Sequence, residues 1–238
     1  ESAERIAEAD AASDAFCMVG LHNRFTAPAQ RIVEERESGE FGELTHVEAN
    51  YLRRRGIPGL GSWFTNRELS GGGALIDLGV HAIDLALYVA EFPQVVEVTG
   101  VTRADFGTRE DYADPDGWGG NWSTEAGGFD VDDGVSAFLR CADGTTISLE
   151  VAWATNRRST HEFHVRGTEE GAVFDIGDDE LDVLSCTTDP DKYVDAAFSG
   201  ELEAEGHEAE DRAFLDAVAA GEEPGSNTVE QGLAVQRV

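Results

Sequence analysis

The stretch SGGGALIDLGVHAIDLALYVAEF, residues 70–92, decides the fold of this chain. Three consecutive glycines open an apolar run that predicts a helix from about Gly73 to Ala90, which Pro93 ends. Apolar side chains occur nearly all round this helix, and such helices are buried. We therefore expect it to lie in the core, where the glycines allow a ligand or another backbone to approach closely.

Asp77, His81 and Asp84 lie inside this run at spacings of four and three, which places them on one helix face. An unpaired buried charge costs roughly several kcal/mol, and functional sites are where proteins most often accept such costs. Asp77 and His81 could bind and deprotonate a hydroxyl. They could equally be a hydrogen-bonded core pair, and the spacing leaves both interpretations open. Asp84 is interpreted as a buried group bonded to backbone.

A metal site is not predicted. Asp77, His81 and Asp84 could supply ligands, but no helical histidine pair of the HExxH kind occurs. His161 and His164 are three apart in a predicted strand and should point to opposite faces. No GxSxG motif supports a serine hydrolase, and neither GIPGLG (56–61) nor the GGG run has the context of a dinucleotide-binding turn.

Composition restricts the partners of the chain. Its 238 residues carry 48 acidic and 17 basic side chains, a net charge of −31. Nucleic acid and anionic membrane would be repelled, so neither is expected as a partner. Such an acidic surface is typical of a halophile's cytosolic protein. The three cysteines are far apart without a CxxC, which favours a reducing compartment, and no signal peptide or apolar run of 18 residues is apparent. We expect a cytoplasmic protein.

The remaining pattern predicts an α+β fold with a largely antiparallel sheet and helices covering one face. An exposed helix (2–13) and a buried parallel strand (Phe16–Leu21) precede it and are typical of the end of an α/β domain. The other predicted elements are a helix at 27–38, strands at Leu44–Arg53, Val95–Val101, Val131–Arg140, Thr145–Thr155, His161–Arg166, Ala172–Ile176 and Leu181–Ser185, an acidic loop at 103–129, an amphipathic helix at 207–220 and a capping-box helix from Thr228.

SGGGALIDLGVHAIDLALYV (70–89) resembles the signature of the Gfo/Idh/MocA family of nicotinamide-dependent sugar and polyol oxidoreductases. Further segments are similar to the family in its own order: FCMVGLHNRF (16–25), IVEERESGEFGELTHVEANY (32–51), VDDGVSAFLRCADGTTISLEVAWAT (131–155) and FLDAVAAGEEPGSNTVEQGLAV (214–235). The resemblance implies that residues 1–25 are the last helix and strand of a truncated Rossmann NAD(P)-binding domain. Residues 26–238 would then be the α+β substrate and oligomerisation domain, truncated within its closing helix.

By this resemblance His81 is the catalytic acid/base on the substrate hydroxyl, and Asp77 is its catalytic and substrate-binding partner. Trp63 would contact substrate and nicotinamide, while Asn23 and Arg24 match an Asn-Arg pair near the nicotinamide end. The family's catalytic lysine and phosphate-binding glycines would lie before residue 1. The fragment alone is therefore expected to be inactive, whereas the full-length parent is expected to use NAD or NADP.

Arg54 belongs to a run of three arginines, residues 53–55, at the end of the first predicted strand. It is expected to bind a hydroxyl or carboxylate of a sugar. The alternative is that these arginines only balance the negative charge of an acidic protein. The expected activity is dehydrogenation of a small-molecule sugar, inositol or related polyol by a homo-dimer or homo-tetramer formed through the sheet face. An NAD-dependent glycoside hydrolase on the same scaffold is one alternative. A non-enzymatic binding or assembly domain is another.

Overall fold

The computed structural model describes residues 2–120, 128–178, 180–200 and 205–238. Its strands are β1 (Leu44–Leu52), β2 (Val95–Arg103), β3 (Gly134–Cys141), β4 (Thr146–Ala152), β5 (Glu162–Gly167), β6 (Gly171–Asp175), β7 (Glu180–Thr188) and β8 (Asp191–Ser199). They form one sheet in the order β2-β3-β4-β1-β5-β6-β7-β8. β1 and β4 pair in parallel, and the other neighbours are antiparallel. The predicted α+β class with a largely antiparallel sheet is confirmed.

The helices are α1 (Ser2–Ala11), α2 (Ala27–Ser38), α3 (Arg67–Ser70), α4 (Val80–Val89), α5 (Gly206–Ala220) and α6 (Val229–Arg237), with 3-10 turns at His22–Phe25 and Trp63–Thr65 and a π-helical turn at Leu75–Gly79. Gly39 ends α2 in the left-handed conformation. Thr228 and Gln231 form the predicted capping box of α6.

The core lies between one face of the sheet and the central helix. The alternation in β1 directs Val47 and Ala49 into this core, where α4 packs against β1 and β4. By length and composition alone, Arg67–Val89 is apolar enough to cross a membrane, yet 61% of its most apolar window is buried inside the protein, as in a core helix. The prediction of a buried helix is confirmed.

Three local predictions were wrong or incomplete. Phe16–Leu21 is not a strand, because a strand needs a ladder and this segment makes a single antiparallel bridge, between Met18 and Thr228. β8 was missed because its apolar alternation is interrupted by charged residues. No residue of α5 is buried, so its predicted apolar stripe does not pack into the core. Of the predicted 103–129 loop, residues 121–127 lie outside the described part.

Candidate active site at one end of the sheet

The central helix begins against the loop that leads into β3. The amides of Gly73 and Leu75 donate to the two carboxylate oxygens of Asp132 at 3.0 and 2.8 Å, and the Ala74 amide donates to the Asp132 carbonyl at 2.9 Å. A Cβ on Gly73 would lie 1.8 Å from that carbonyl oxygen. The glycine run therefore permits close backbone approach, as predicted, and the acid stabilises the helix N-terminus.

Asp77 lies in the π-helical turn and is held by the sheet. The indole Nε1 of Trp153, which directly follows β4, donates to Asp77 Oδ2 at 2.8 Å. Trp153 is fully buried, whereas Asp77 is partly exposed. One carboxylate oxygen is thus fixed, while Oδ1 bonds to no described residue. π-helical turns often mark functional sites, and this one presents a carboxylate with a free oxygen.

His81 follows in the first turn of α4, and its ring is only partly exposed. Its Nδ1 is buried and has no hydrogen-bond partner among the described residues. Burial lowers the pKa of His81, although the charges of Asp84 and Asp77 act in the opposite direction. The charges of His207 and Arg53 lower it further. At neutral pH the imidazole is therefore uncharged and has a nitrogen able to accept a proton.

Two further histidines border His81, and the sequence analysis missed both. The ring of His22 lies edge-on to His81 with centroids 5.4 Å apart, and it stacks on His207 at 3.7 Å. Burial and the two neighbouring imidazoles lower the pKa of His22 to about 4. These residues come from the His22–Phe25 turn and from α5, so no periodic pattern could have connected them.

Asp84 is buried as predicted, but its partner is a side chain rather than backbone. Arg24 donates from Nε and Nη2 to the two Asp84 oxygens at 2.9 and 2.5 Å. Arg24 Nη1 donates to Gln231 in α6 at 2.5 Å. This ion pair ties the His22–Phe25 turn to α4 and α6. Asn23 is buried beside it, and the cofactor-binding roles of Asn23 and Arg24 stay predictions.

The other predicted ligand-binding residues lie in the segment that follows β1. Trp63 is 55% exposed and stacks on Phe64 at 3.9 Å. Arg54 is exposed, and its amide donates to Ser159 Oγ at 2.9 Å. The neighbouring Arg53 is the arginine of the trio whose charge acts on His81. The roles of Trp63 and Arg54 stay predictions, and Arg53 joins them as a candidate.

Histidines outside the cluster of His22, His81 and His207 have different surroundings. His161 packs edge-on against Tyr51 at 4.4 Å, while His164 Nε2 lies 2.8 Å from Glu162 Oε1. Across the described residues, no group of three His, Cys, Asp or Glu side chains is placed to hold a metal ion. The chemistry that the arrangement supports is therefore that of its pair, a fixed carboxylate and an uncharged imidazole on successive helical turns.

Comparison with known proteins identifies relatives. D-Glucoside 3-dehydrogenase of Escherichia coli is 35% identical over 155 residues, which are 64% of this chain and 42% of that protein. Levoglucosan dehydrogenase of Pseudarthrobacter phenanthrenivorans is 29% identical over 180 residues, 74% of this chain and 46% of the relative. The structure of a levoglucosan dehydrogenase in complex with NADH superposes with a TM-score of 0.79 at 22% identity, over 98% of this chain and 64% of that one.

The chain thus spans less than half the length of these two curated relatives. The structural likeness, at 22% identity, establishes the fold. Residues 29–174 match the GFO/IDH/MocA C-terminal domain, which covers β1 through β6, the central helix and both Asp77 and His81. With this match over more than half of its residues, the chain belongs to the GFO/IDH/MocA family.

Proposed function

We propose that the full-length protein is an NAD(P)-dependent dehydrogenase of a sugar, inositol or related polyol, and that this chain carries its substrate domain. The observation that carries the proposal is the His81–Asp77 pair. An uncharged imidazole, whose Nδ1 bonds to no described residue, follows a carboxylate that Trp153 fixes. The relatives named glucoside and levoglucosan dehydrogenases support a sugar substrate.

The described residues fit only part of a nicotinamide cofactor. GIPGLG follows β1 and the GGG run follows α3, so neither is a strand–turn–helix that binds a pyrophosphate. We infer that the main cofactor site lies outside this chain. Asn23, Arg24 and Trp63 are proposed for the nicotinamide end. When bound, the nicotinamide would accept a hydride from the substrate carbinol carbon.

The chain's own residues handle the hydroxyl. Asp77 Oδ1, which bonds to no described residue, would accept a hydrogen bond from a substrate hydroxyl and orient it. His81 would accept the proton of the hydroxyl that is being oxidised, because its lowered pKa keeps the ring uncharged at pH 7.

The test uses the complete gene product in high salt. Cofactor reduction is first screened against sugars and inositols. His81→Ala should then lower kcat about 10²-fold or more, as expected for a lost general base, while NAD(P) binding is unchanged. His164→Gln removes a histidine on a strand remote from the pair and should leave kcat unchanged. A His81→Ala enzyme with the parent's kcat would reject the proposed role.

We also propose that the protein forms a homo-dimer or homo-tetramer through the open face of the sheet. Phe138 is 48% exposed and Val101 50% exposed on adjacent strands of this face, and apolar side chains exposed together favour an interface. Phe138→Glu should shift the mass measured by light scattering towards the monomer, and an unchanged mass would contradict this interface. The cytoplasmic location stays a prediction.

A further inference from the structure

Among the described residues of this strongly acidic chain, Arg53 is a cation without an acidic partner. It follows β1, and its guanidinium lies 4.3 Å over the ring of Trp118 and 6.0 Å from that of Tyr51. Its side-chain hydrogen bond is a long one, 3.5 Å to the Gly56 carbonyl. Within the described ranges, no carboxylate lies within 4.0 Å of it, although the chain has 48 acidic residues.

Stacking leaves the edge of this guanidinium free. A cation–π contact uses the flat face of an arginine, and its N–H groups point outward in the ring plane. Other arginines of the chain use these groups on acids, as in the buried Arg24–Asp84 pair and the exposed Arg140–Glu97 pair. The N–H groups of Arg53 thus form a donor fork that no described carboxylate occupies.

Two imidazoles near Arg53 also have unused nitrogens. His81 Nδ1 and His161 Nε2 are buried and have no hydrogen-bond partner among the described residues. The ring of His161 packs on Tyr51, which in turn faces Arg53. Burial lowers the pKa of both histidines, and the charge of Arg53 lowers it further. Asp84 and Asp77 oppose this lowering at His81, and Asp175 opposes it at His161.

This group adjoins the proposed catalytic pair. The Arg53 amide donates to the Ala152 carbonyl at 2.9 Å, and Ala152 precedes Trp153, whose indole fixes Asp77. Arg53 and Asp77 are therefore hydrogen-bonded to the adjacent residues Ala152 and Trp153 at one end of the sheet. A ligand with a hydroxyl at His81 and Asp77 can direct another substituent to Arg53.

We propose that the substrate is an anionic sugar or polyol whose carboxylate or phosphate binds Arg53. This inference rests on the proposed function of the His81–Asp77 site. Hydrogen bonds between a guanidinium and an anion are stronger than those to neutral acceptors. An anion satisfies the fork of Arg53 in two parallel hydrogen bonds and compensates its charge. The hydroxyls of a neutral sugar could accept hydrogen bonds but would leave that charge uncompensated.

The test measures binding to the full-length protein by isothermal titration calorimetry, with and without NAD. The probes are D-glucose with D-glucuronate and glucose 6-phosphate, and D-galactose with D-galacturonate and galactose 6-phosphate. In at least one series, an anionic member should bind about tenfold tighter or more than its neutral parent, and the carboxylate and phosphate arms show which anion fits.

Variants assign this preference to Arg53. Arg53→Gln should weaken the anionic ligand about 10- to 100-fold and the neutral sugar by less than about threefold. Arg53→Lys keeps the charge but loses the fork, so part of the preference should remain even if the glutamine variant folds poorly. Arg158→Gln, in an exposed loop, is the matched control and should bind like the parent.

Two results would overturn the proposal. One is a neutral sugar that binds as tightly as its anionic partners in both series. The other is an Arg53→Gln variant that weakens charged and neutral ligands equally. NADH formation is assayed separately, so anion-selective binding without turnover would reject the proposed function alone. Turnover of neutral sugars without charge preference would reject the anionic substrate alone.

Discussion

Arg24 and Asp84 form an ion pair that is closed off from solvent, with side chains 0% and 1% exposed. Two hydrogen bonds join the guanidinium to both carboxylate oxygens. Burial raises the pKa of Asp84, and the Arg24 guanidinium opposes that rise. The pair fixes the turn that carries His22 against the helix that carries His81, so the histidine contact at the site depends on it.

Asp84→Asn should destabilise the protein by about 3–5 kcal/mol, because it leaves the Arg24 charge buried without a counter-ion. Urea unfolding at pH 7 measures the loss. Glu97→Gln breaks the exposed pair with Arg140 and should cost less than about 1 kcal/mol. Equal losses in the two variants would show that the buried pair contributes no more than a surface pair.

Trp153→Phe should lower kcat/KM for the substrate about tenfold under the proposed function, because Asp77 loses the donor that fixes it. The KM for NAD(P) should not change. Phe163→Leu is the control, since Phe163 is equally buried but stacks on Phe174 in the core. If both variants lower kcat/KM alike, the effect of Trp153 is one of stability rather than of positioning.

Gly73→Ala should destabilise the protein by about 2 kcal/mol or more, because its Cβ would meet the Asp132 carbonyl and the backbone cannot move away without losing the helix cap. Gly225→Ala is the matched control. A Cβ there meets nothing within 4 Å, so the change should stay within about 0.5 kcal/mol. Urea unfolding of both variants checks this, and a tolerated Gly73→Ala would contradict the close approach.

The low pKa of His22 makes stability depend on pH. Its pKa is about 4 in the folded protein and 6.5 in the unfolded chain, so the unfolded chain binds more protons between these values. The stabilisation is complete above pH 6.5 and is lost as the pH falls towards 4. Because solvent screens the half-buried ring, we expect His22→Gln to remove about 1–2 kcal/mol of the stability difference between pH 7 and pH 4.5.

Urea unfolding at the two pH values measures this difference. The other histidines with lowered pKa, such as His81 and His161, should keep part of the pH dependence in the variant. If the stability of His22→Gln changed between the two pH values as much as that of the parent, the low pKa of His22 would be contradicted.

Local patterns predicted most of the fold. The glycine run, the capping box at Thr228 and the alternation in β1 each depend on neighbours in sequence, and all three were confirmed. The prediction of a strand at Phe16–Leu21 was wrong because a strand depends on residues distant in sequence. Apolar composition favours a strand, but the strand forms only when a partner strand pairs with it.

The site was predictable in part. Asp77 and His81 stand out because ionisable groups are rare in an apolar helix. Their neighbours do not, because Trp153 is 76 residues from Asp77, and His22 and His207 lie in a turn and a helix that are far from His81 in the sequence. The unexpected π-helical turn shows the same limit, because spacing rules assume regular geometry and cannot say where Asp77 points.

Gln231 has two tasks in this molecule, since its side chain closes the capping box of α6 and also accepts a hydrogen bond from Arg24. Fraying of α6 would therefore release the guanidinium from one of its acceptors, and loss of Arg24 would loosen the helix start. Amide protons in the His22–Phe25 turn and in the first turn of α6 should exchange with solvent through one shared opening event. The His22–Phe25 turn and α6 would then open as one cooperative unit.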